Sequence, residues 1–424
     1  MSTAMLPPSA AAPRLSPERE QLDNGLVLLS SRSDDTPAVA LRASFPVGAA
    51  RDPEERLGLA GFVARALRRG TLRRDTAAIS EAVEAVGASF AIWAGTEEAG
   101  FSAKCLNRDL PLVLRVLREV LEEPAFSPQE VDRTRGELLT LLSERDDSTR
   151  ARADLALRGL LYPAGHPYGR PSTGYRETIS AITREELVDF HQEHYSAHGM
   201  LVSIAGSFDP DPVRRELSGW LQGRPGSRLP VTDVGAVCRR TEERISLPHK
   251  AQVDLLIGAP GVPRTHPDSY ALAMMSLILG GLGLMGRLGA RVREEQGLAY
   301  QASCRSNSRL WAGEWVASAG VSPQNVDAAH AAILAEVERL RREGVTEQEL
   351  ADARDYLIGS LPLRMETNDG IAAYMLNTEY YGLGLDYLWR YPELIRRETR
   401  ESLRQAAVRY LDPDCFAVAI AGAV

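Results

Sequence analysis

Several clusters in this chain have residue types and spacing that could do chemistry. His191, His194 and His198 form the densest group of the seven histidines. Their spacing places them on one helix face, as a metal site would require. The segment ends a helical pattern, however, and an internal repeat described below has Ala407 and Tyr410 at matching positions. A solvated helix end is expected there. Gly280-Gly-Leu-Gly-Leu-Met-Gly286 has phosphate-cradle spacing at Gly281, Gly283 and Gly286. No Lys-Ser/Thr follows it, and the run Ala271–Leu279 before it is helical rather than strand-like. A turn that lets backbone approach a peptide is the better expectation. Arg65, Arg68 and Arg69 form a cationic group. It is either a surface stripe or a site for a partner subunit or acidic peptide.

Composition limits the classes available. The chain has 424 residues, 44% hydrophobic and 25% charged, with net charge −8. This is ordinary globular composition, and the length suggests two or three domains. No basic stripe with interleaved aromatics appears, so nucleic acid is not expected as a partner. No segment approaches the apolar length of a membrane span. Residues 1–19 lack an apolar signal-like core and are expected to be a flexible leader. Cys105, Cys238, Cys304 and Cys415 are scattered without a CxxC pair. They are expected to be buried thiols in a reducing compartment, with a cytoplasmic location.

The elements that must position these residues come in two sets. Thr183-Arg-Glu-Glu-Leu187 returns as Thr399-Arg-Glu-Ser-Leu403, and Ile204-Ala-Gly206 as Ile420-Ala-Gly422, both displaced by 216 positions. Ser127-Pro-Gln-Glu130 matches Thr346-Glu-Gln-Glu349, displaced by 219. The last pair has the S/T-x-x-E form of a capping box, opening helices over 128–147 and 347–360. Three matches in one order indicate a duplication. Each copy reads as an apolar strand (39–45, 253–258), a helix (56–69, 268–280) and strand stretches (88–105, 299–319). Two further helices follow, then the helix at 184–195 or 400–410 and a closing strand. This pattern predicts an α+β fold of two homologous α/β sandwich domains, each a mostly antiparallel sheet with helices packed on one face. Domains are placed at 20–222 and 240–424, joined by a Gly/Pro-rich linker over 223–239.

Gly58-Leu-Ala-Gly-Phe-Val-Ala-Arg-Ala-Leu-Arg-Arg-Gly-Thr71 resembles the zinc helix of the pitrilysin and mitochondrial-processing-peptidase family, G-L-A-H-x-x-E-H-x-x-x-x-G-T. The frame agrees at Gly58, Leu59, Ala60, Gly70 and Thr71. The resemblance puts the two zinc histidines on Gly61 and Arg65, the catalytic glutamate on Ala64 and the third ligand on Leu141. Glu137 and Glu144 lie nearby but off register, and are expected at the surface. A zinc hydrolase needs three protein ligands, an open water position and a base. None of these groups stands at its position, so no metal or other cofactor is expected in this chain.

The resemblance extends further. His166-Pro-Tyr-Gly-Arg-Pro171 is similar to a family segment that precedes a Thr-Arg-Glu helix. Arg293-Glu-Glu-Gln-Gly-Leu-Ala-Tyr300 is similar to the stretch in which an Arg/Tyr pair holds substrate backbone over the metal of the other half. The likeness implies a substrate-binding role for Arg293, Tyr300, Gly280, Gly281 and Gly283. It also implies a non-catalytic subunit of a heterodimer. The homologous partner would carry H-x-x-E-H and the zinc, and a peptide would be the substrate. The alternative is a catalytically inert, core-type subunit of a larger complex. A free-standing peptidase of other chemistry finds no support: no G-x-S-x-G elbow and no convincing Cys/His nucleophile is present.

Overall fold

The computed structural model describes residues 16–226 and 237–424. Most of the expected leader and linker lies outside the described residues. In the first half, β1 (Glu18–Gln21), β2 (Val27–Arg32), β3 (Ala38–Phe45), β4 (Ser89–Ala94), β5 (Ala99–Leu106) and β6 (Leu201–Gly206) form one sheet. Its order is β1-β2-β6-β3-β5-β4. In the second half, β7 (Thr241–Ser246), β8 (Val253–Gly261), β9 (Ala299–Ser308), β10 (Gly313–Val321) and β11 (Ala417–Gly422) form a sheet of order β7-β11-β8-β10-β9. The two orders are one plan used twice, with β1 added to the first. In each sheet one neighbouring pair is parallel, β2 with β6 and β7 with β11, and the rest are antiparallel. The α+β reading of two homologous, mostly antiparallel sandwiches therefore holds.

Local chemistry sets the helix starts. At Thr183, Thr346 and Thr399 the hydroxyl accepts the backbone N–H three residues on, and that residue's side chain accepts the cap N–H in return. These are reciprocal capping boxes. The expected box at Ser127 does not form. Ser127 sits at the cap position, but its side chain makes no cap bond, and Pro128 opens the helix Pro128–Asp147 instead. Proline suits that first position because its missing N–H would have had no helical partner.

Each sheet buries one face under helices of its own half. The other face is covered by exchange. Helix Thr149–Leu161 of the first half lies across β8 and β11 of the second. It buries Ala153, Leu157 and Leu161, a stripe at four-residue spacing, against Leu256, Val316, Ala417, Ala419 and Ala421. Helix Asn368–Tyr380 of the second half lies across β3 and β6 of the first, burying Ala372 and Met375 against Val27, Leu29, Ala40 and Ala205. Gly258 makes room for the first contact: a Cβ there would stand 2.9 Å from Leu161 Cδ1 and 3.0 Å from Leu157 Cδ1. With both faces covered, β10 is buried at every residue.

Polar groups lock the same joint. Arg42 makes a bidentate pair with Asp369, at 2.9 and 3.0 Å. Thr149 Oγ1 donates to Asp254 Oδ2 at 2.7 Å. Buried Glu97, in the β4–β5 turn, accepts from the Tyr168 hydroxyl, from Tyr380 at 2.8 Å and from the Leu310 N–H at 3.0 Å. The His166-Pro-Tyr-Gly segment thus serves the joint between halves. Tyr168 is fully buried and stacks on Trp311, with ring centres 5.5 Å apart.

The cysteine reading is corrected for two residues of four. Cys238 and Cys415 form a disulfide, while Cys105 and Cys304 are free and buried. The bridge ties the irregular segment entering β7 to the turn entering β11, the parallel neighbours of the second sheet. A separation of 177 residues leaves no local spacing signal. Disulfides persist in oxidising compartments, so the inference of a reducing compartment from the scattered cysteines does not follow. Among the described residues no helix is long and apolar enough to cross a membrane.

Two outcomes test the joint. Leu157→Ala removes the centre of the exchanged stripe and is expected to cost about 2–5 kcal/mol in urea denaturation; a loss below about 1 kcal/mol would mean the exchanged helix contributes little. Glu98, beside Glu97, is largely buried, and burial pushes its carboxyl up from 4.5 to about 7 against the hydrogen bond from Ser44. A raised folded-state value makes the protonated form the stable one. That contribution is complete below about pH 4.5 and is lost as pH rises through about 7. Glu98→Gln does not titrate, so its stability relative to wild type is expected to rise by about 1–3 kcal/mol between pH 5 and 8. A pH-independent difference would contradict this.

Candidate functional site

Helix Leu59–Ala66 carries the degenerate motif, and the residues around it explain why it is a helix. Buried Asp52 accepts the N–H of Gly58 at 2.8 Å and of Ala60 at 2.9 Å, satisfying donors at the helix start. Gly58 has φ +96°, and a Cβ there would lie 2.6 Å from Ile179 Cδ1 and 2.8 Å from Thr173 O. Leu59 and Ala60 are buried in the core. Gly70 has φ +122°, and the Thr71 hydroxyl accepts the N–H groups of Arg73 and Arg74 at 3.2 and 3.0 Å. Every residue shared with the family frame has a structural task here. The positions that differ are those of the chemistry.

Gly61, Ala64 and Arg65 line one cavity of about 370 Å³, together with Arg68, Arg69, Phe90, Ile92, Trp93, Leu138, Ser172 and Thr173 among others. Leu141 is not among the lining residues and is 41% exposed. The helix Pro128–Asp147 turns Leu138, one turn earlier, toward the cavity instead. Glu144 is exposed, as expected. Glu137 is ion-paired with Arg69, tying this helix to the degenerate one. The lining contains no His, Cys, Asp or Glu. Its donors are guanidinium and hydroxyl groups, so these residues do not fit a zinc ion.

The second element lies in the other half. A π-helical turn, Gly289–Glu295, ends near Arg293, and β9 starts at Ala299. The Arg293 side chain is 44% exposed and its ion pair is with adjacent Glu294, at 3.6 Å. Tyr300 is 65% exposed on β9, an edge strand of the second sheet. The two side chains make no hydrogen bond with each other. The glycines before them divide their tasks. At Gly280 a Cβ would stand 2.6 Å from Cys304 N and 2.9 Å from Ser303 C, so the backbone approached there is the chain's own β9. Gly281 is exposed and close to Leu277. Gly283 has φ +62° with open space around it, and Met285 beyond is 86% exposed.

The histidine cluster is not a solvated helix end throughout. His191 is buried, its Nε2 lies 2.9 Å from Leu121 O, and burial with the Arg224 guanidinium lowers its pKa to about 4. His194 is half-buried and His198 exposed. Leu187, Phe190 and His191 form a buried face, a signal already present as apolar i, i+3, i+4 spacing. Among the described residues no three His, Cys, Asp or Glu side chains are grouped to hold a metal.

Comparison with known proteins agrees with this geometry. Residues 27–163 match the family model described as Insulinase (Peptidase family M16), and residues 181–357 match Peptidase M16 inactive domain. The chain belongs to peptidase family M16, as a member without the zinc site. It is 26% identical over 357 residues to an uncharacterized zinc protease of Streptomyces coelicolor, covering 82% of this chain and 77% of that one. It is 24% identical to a non-peptidase homolog of Helicobacter pylori, covering 82% and 80%. The crystal structure of a peptidase M16 inactive domain from Pseudomonas fluorescens superposes with TM-score 0.89 over 96% of this chain and 98% of that one, at 23% identity.

The cavity geometry yields a test of the metal position. The wild-type chain is expected to hold no stoichiometric zinc by elemental analysis. Gly61→His, Ala64→Glu and Arg65→His combined with Leu138→Glu should take up zinc more tightly than the same three combined with Leu141→Glu. Equal uptake by both sets would mean that the helix does not orient position 138 toward the cavity.

Proposed function

We propose that this chain is the non-catalytic subunit of a heterodimeric zinc metalloendopeptidase. The homologous partner supplies H-x-x-E-H and zinc, and this chain completes the substrate chamber. Arg293 and Tyr300 bind the backbone of the peptide substrate there. One observation carries the reading. Where the family's metal chemistry would stand there is no metal ligand and no base, yet Arg293 and Tyr300 are both exposed and Tyr300 makes no side-chain hydrogen bond with any described residue that would explain it as a structural residue. Guanidinium and phenol are directional donors suited to peptide carbonyls. They could also stabilise the oxyanion that develops on attack. Tyr300 on an edge strand has unpaired backbone groups beside it, which an extended peptide can use. Gly281 and Gly283, both exposed ahead of this strand, leave backbone open to a substrate, whereas Gly280 supports the reading only indirectly, by seating the turn against β9.

The test uses the assembled pair. Arg293→Ala and Tyr300→Phe are each expected to lower kcat/KM by about 10–1000-fold, with assembly and zinc content unchanged. Wild-type kinetics in both variants would remove the substrate-binding role. A partner fully active alone on the same peptides would instead favour an inert, structural subunit.

A further inference from the structure

The cavity on the degenerate helix has a chemistry of its own. It exists because Gly61 and Ala64 carry almost no side chain where helix Leu59–Ala66 faces residues 172–173 and β4. Three arginines line it, and no acidic side chain does. Arg69 is neutralised by Glu137. Arg68 lies over the Phe90 ring, 5.4 Å from its centre, with no carboxylate partner. Arg65 is exposed and makes no hydrogen bond or ion pair with any described residue. Two guanidinium groups therefore border one cavity without counter-charge.

Elsewhere in the chain arginines are commonly ion-paired, including Arg56 with Glu186, Arg73 with Glu123 and Arg74 with Glu119 close by. The pair at the cavity departs from that habit. Like charges left together and unpaired repel, and an anion relieves this. The rest of the lining narrows the ligand. Ser80, Ser172 and Thr173 add polar groups at the wall, and Phe90, Ile92, Trp93 and Leu138 supply apolar surface. A bare inorganic anion would leave that surface wet. A carboxylate on an aliphatic stem covers it while its head meets the arginines in forked geometry.

We infer that the former metal cleft is a binding pocket for an acidic side chain of a peptide, with Arg65 and Arg68 as the carboxylate-binding residues. The inference concerns this chain by itself and does not rest on the pairing proposed above.

Fluorescence anisotropy on the full chain provides the test, without any partner or zinc. The probe is a labelled ten-residue Gly/Ala peptide with a central Glu-Glu, and the control has Gln-Gln at the same place. The Glu probe is expected to bind at least about ten-fold more tightly than the control, with affinity falling as sodium chloride is raised. Arg65→Ala with Arg68→Ala should abolish that difference. Both side chains are exposed, so the double variant should retain the wild-type circular dichroism and melting temperature. Gly61→Leu fills the cavity without altering charge and should weaken the Glu probe about ten-fold or more. Unlabelled Glu peptide should displace the probe at far lower concentration than inorganic phosphate. Equal binding of Glu and Gln probes, or wild-type binding by the double variant, overturns the pocket. Displacement by phosphate as readily as by peptide overturns the acidic-peptide assignment.

Discussion

Neither sheet of this molecule can bury both faces with helices of its own half. β8, β10 and β11 carry apolar side chains on both faces, and an uncovered second face would leave much of that surface in water. The exchange of helices Thr149–Leu161 and Asn368–Tyr380 answers this constraint. Each half lends the helix that closes the other, so the halves form one packed unit rather than two beads on a linker. Small residues permit the approach: Ala153 against Ala417, Ala419 and Ala421, and Gly258 beneath Leu157 and Leu161. The polar groups at the joint, from Arg42–Asp369 to the Glu97 cluster, then set its register.

That arrangement explains why the degenerate helix still exists. Its N-terminus is capped by Asp52, Gly58 there meets the Thr173 backbone closely, and its apolar face belongs to the first core. These tasks are independent of metal. Replacing His, Glu and His by Gly, Ala and Arg removes the ligands and the base without touching what holds the helix. What is left is an altered cavity with positive charge at its border.

Much of the plan was legible along the chain. The repeat predicted two equivalent sandwiches, and the Thr183, Thr346 and Thr399 boxes marked helix starts because capping is local chemistry. The capping prediction failed at Ser127, where Pro128 starts the helix without the side-chain bond. The exchanged helices were not anticipated, since their stripes of Ala, Leu and Met say that a face is buried but not against what. His191 read as solvated because its partner, the Leu121 carbonyl, is 70 positions away. Counting along the chain reaches Leu141, whereas the cavity meets Leu138, three residues earlier, because a count of residues does not say which side of a helix faces a neighbour.

The sequence by itself determined the family frame, the duplication and the loss of every zinc ligand at its place, because these depend on residue identity and spacing. Tertiary structure decided which residues share a space. It joined Cys238 to Cys415 across 177 positions and set Arg65 and Arg68 around one cavity without a carboxylate. It also placed Tyr300 on an exposed edge. Such facts depend on distances between segments remote in sequence, and those distances are fixed by packing of the two halves rather than by local propensity.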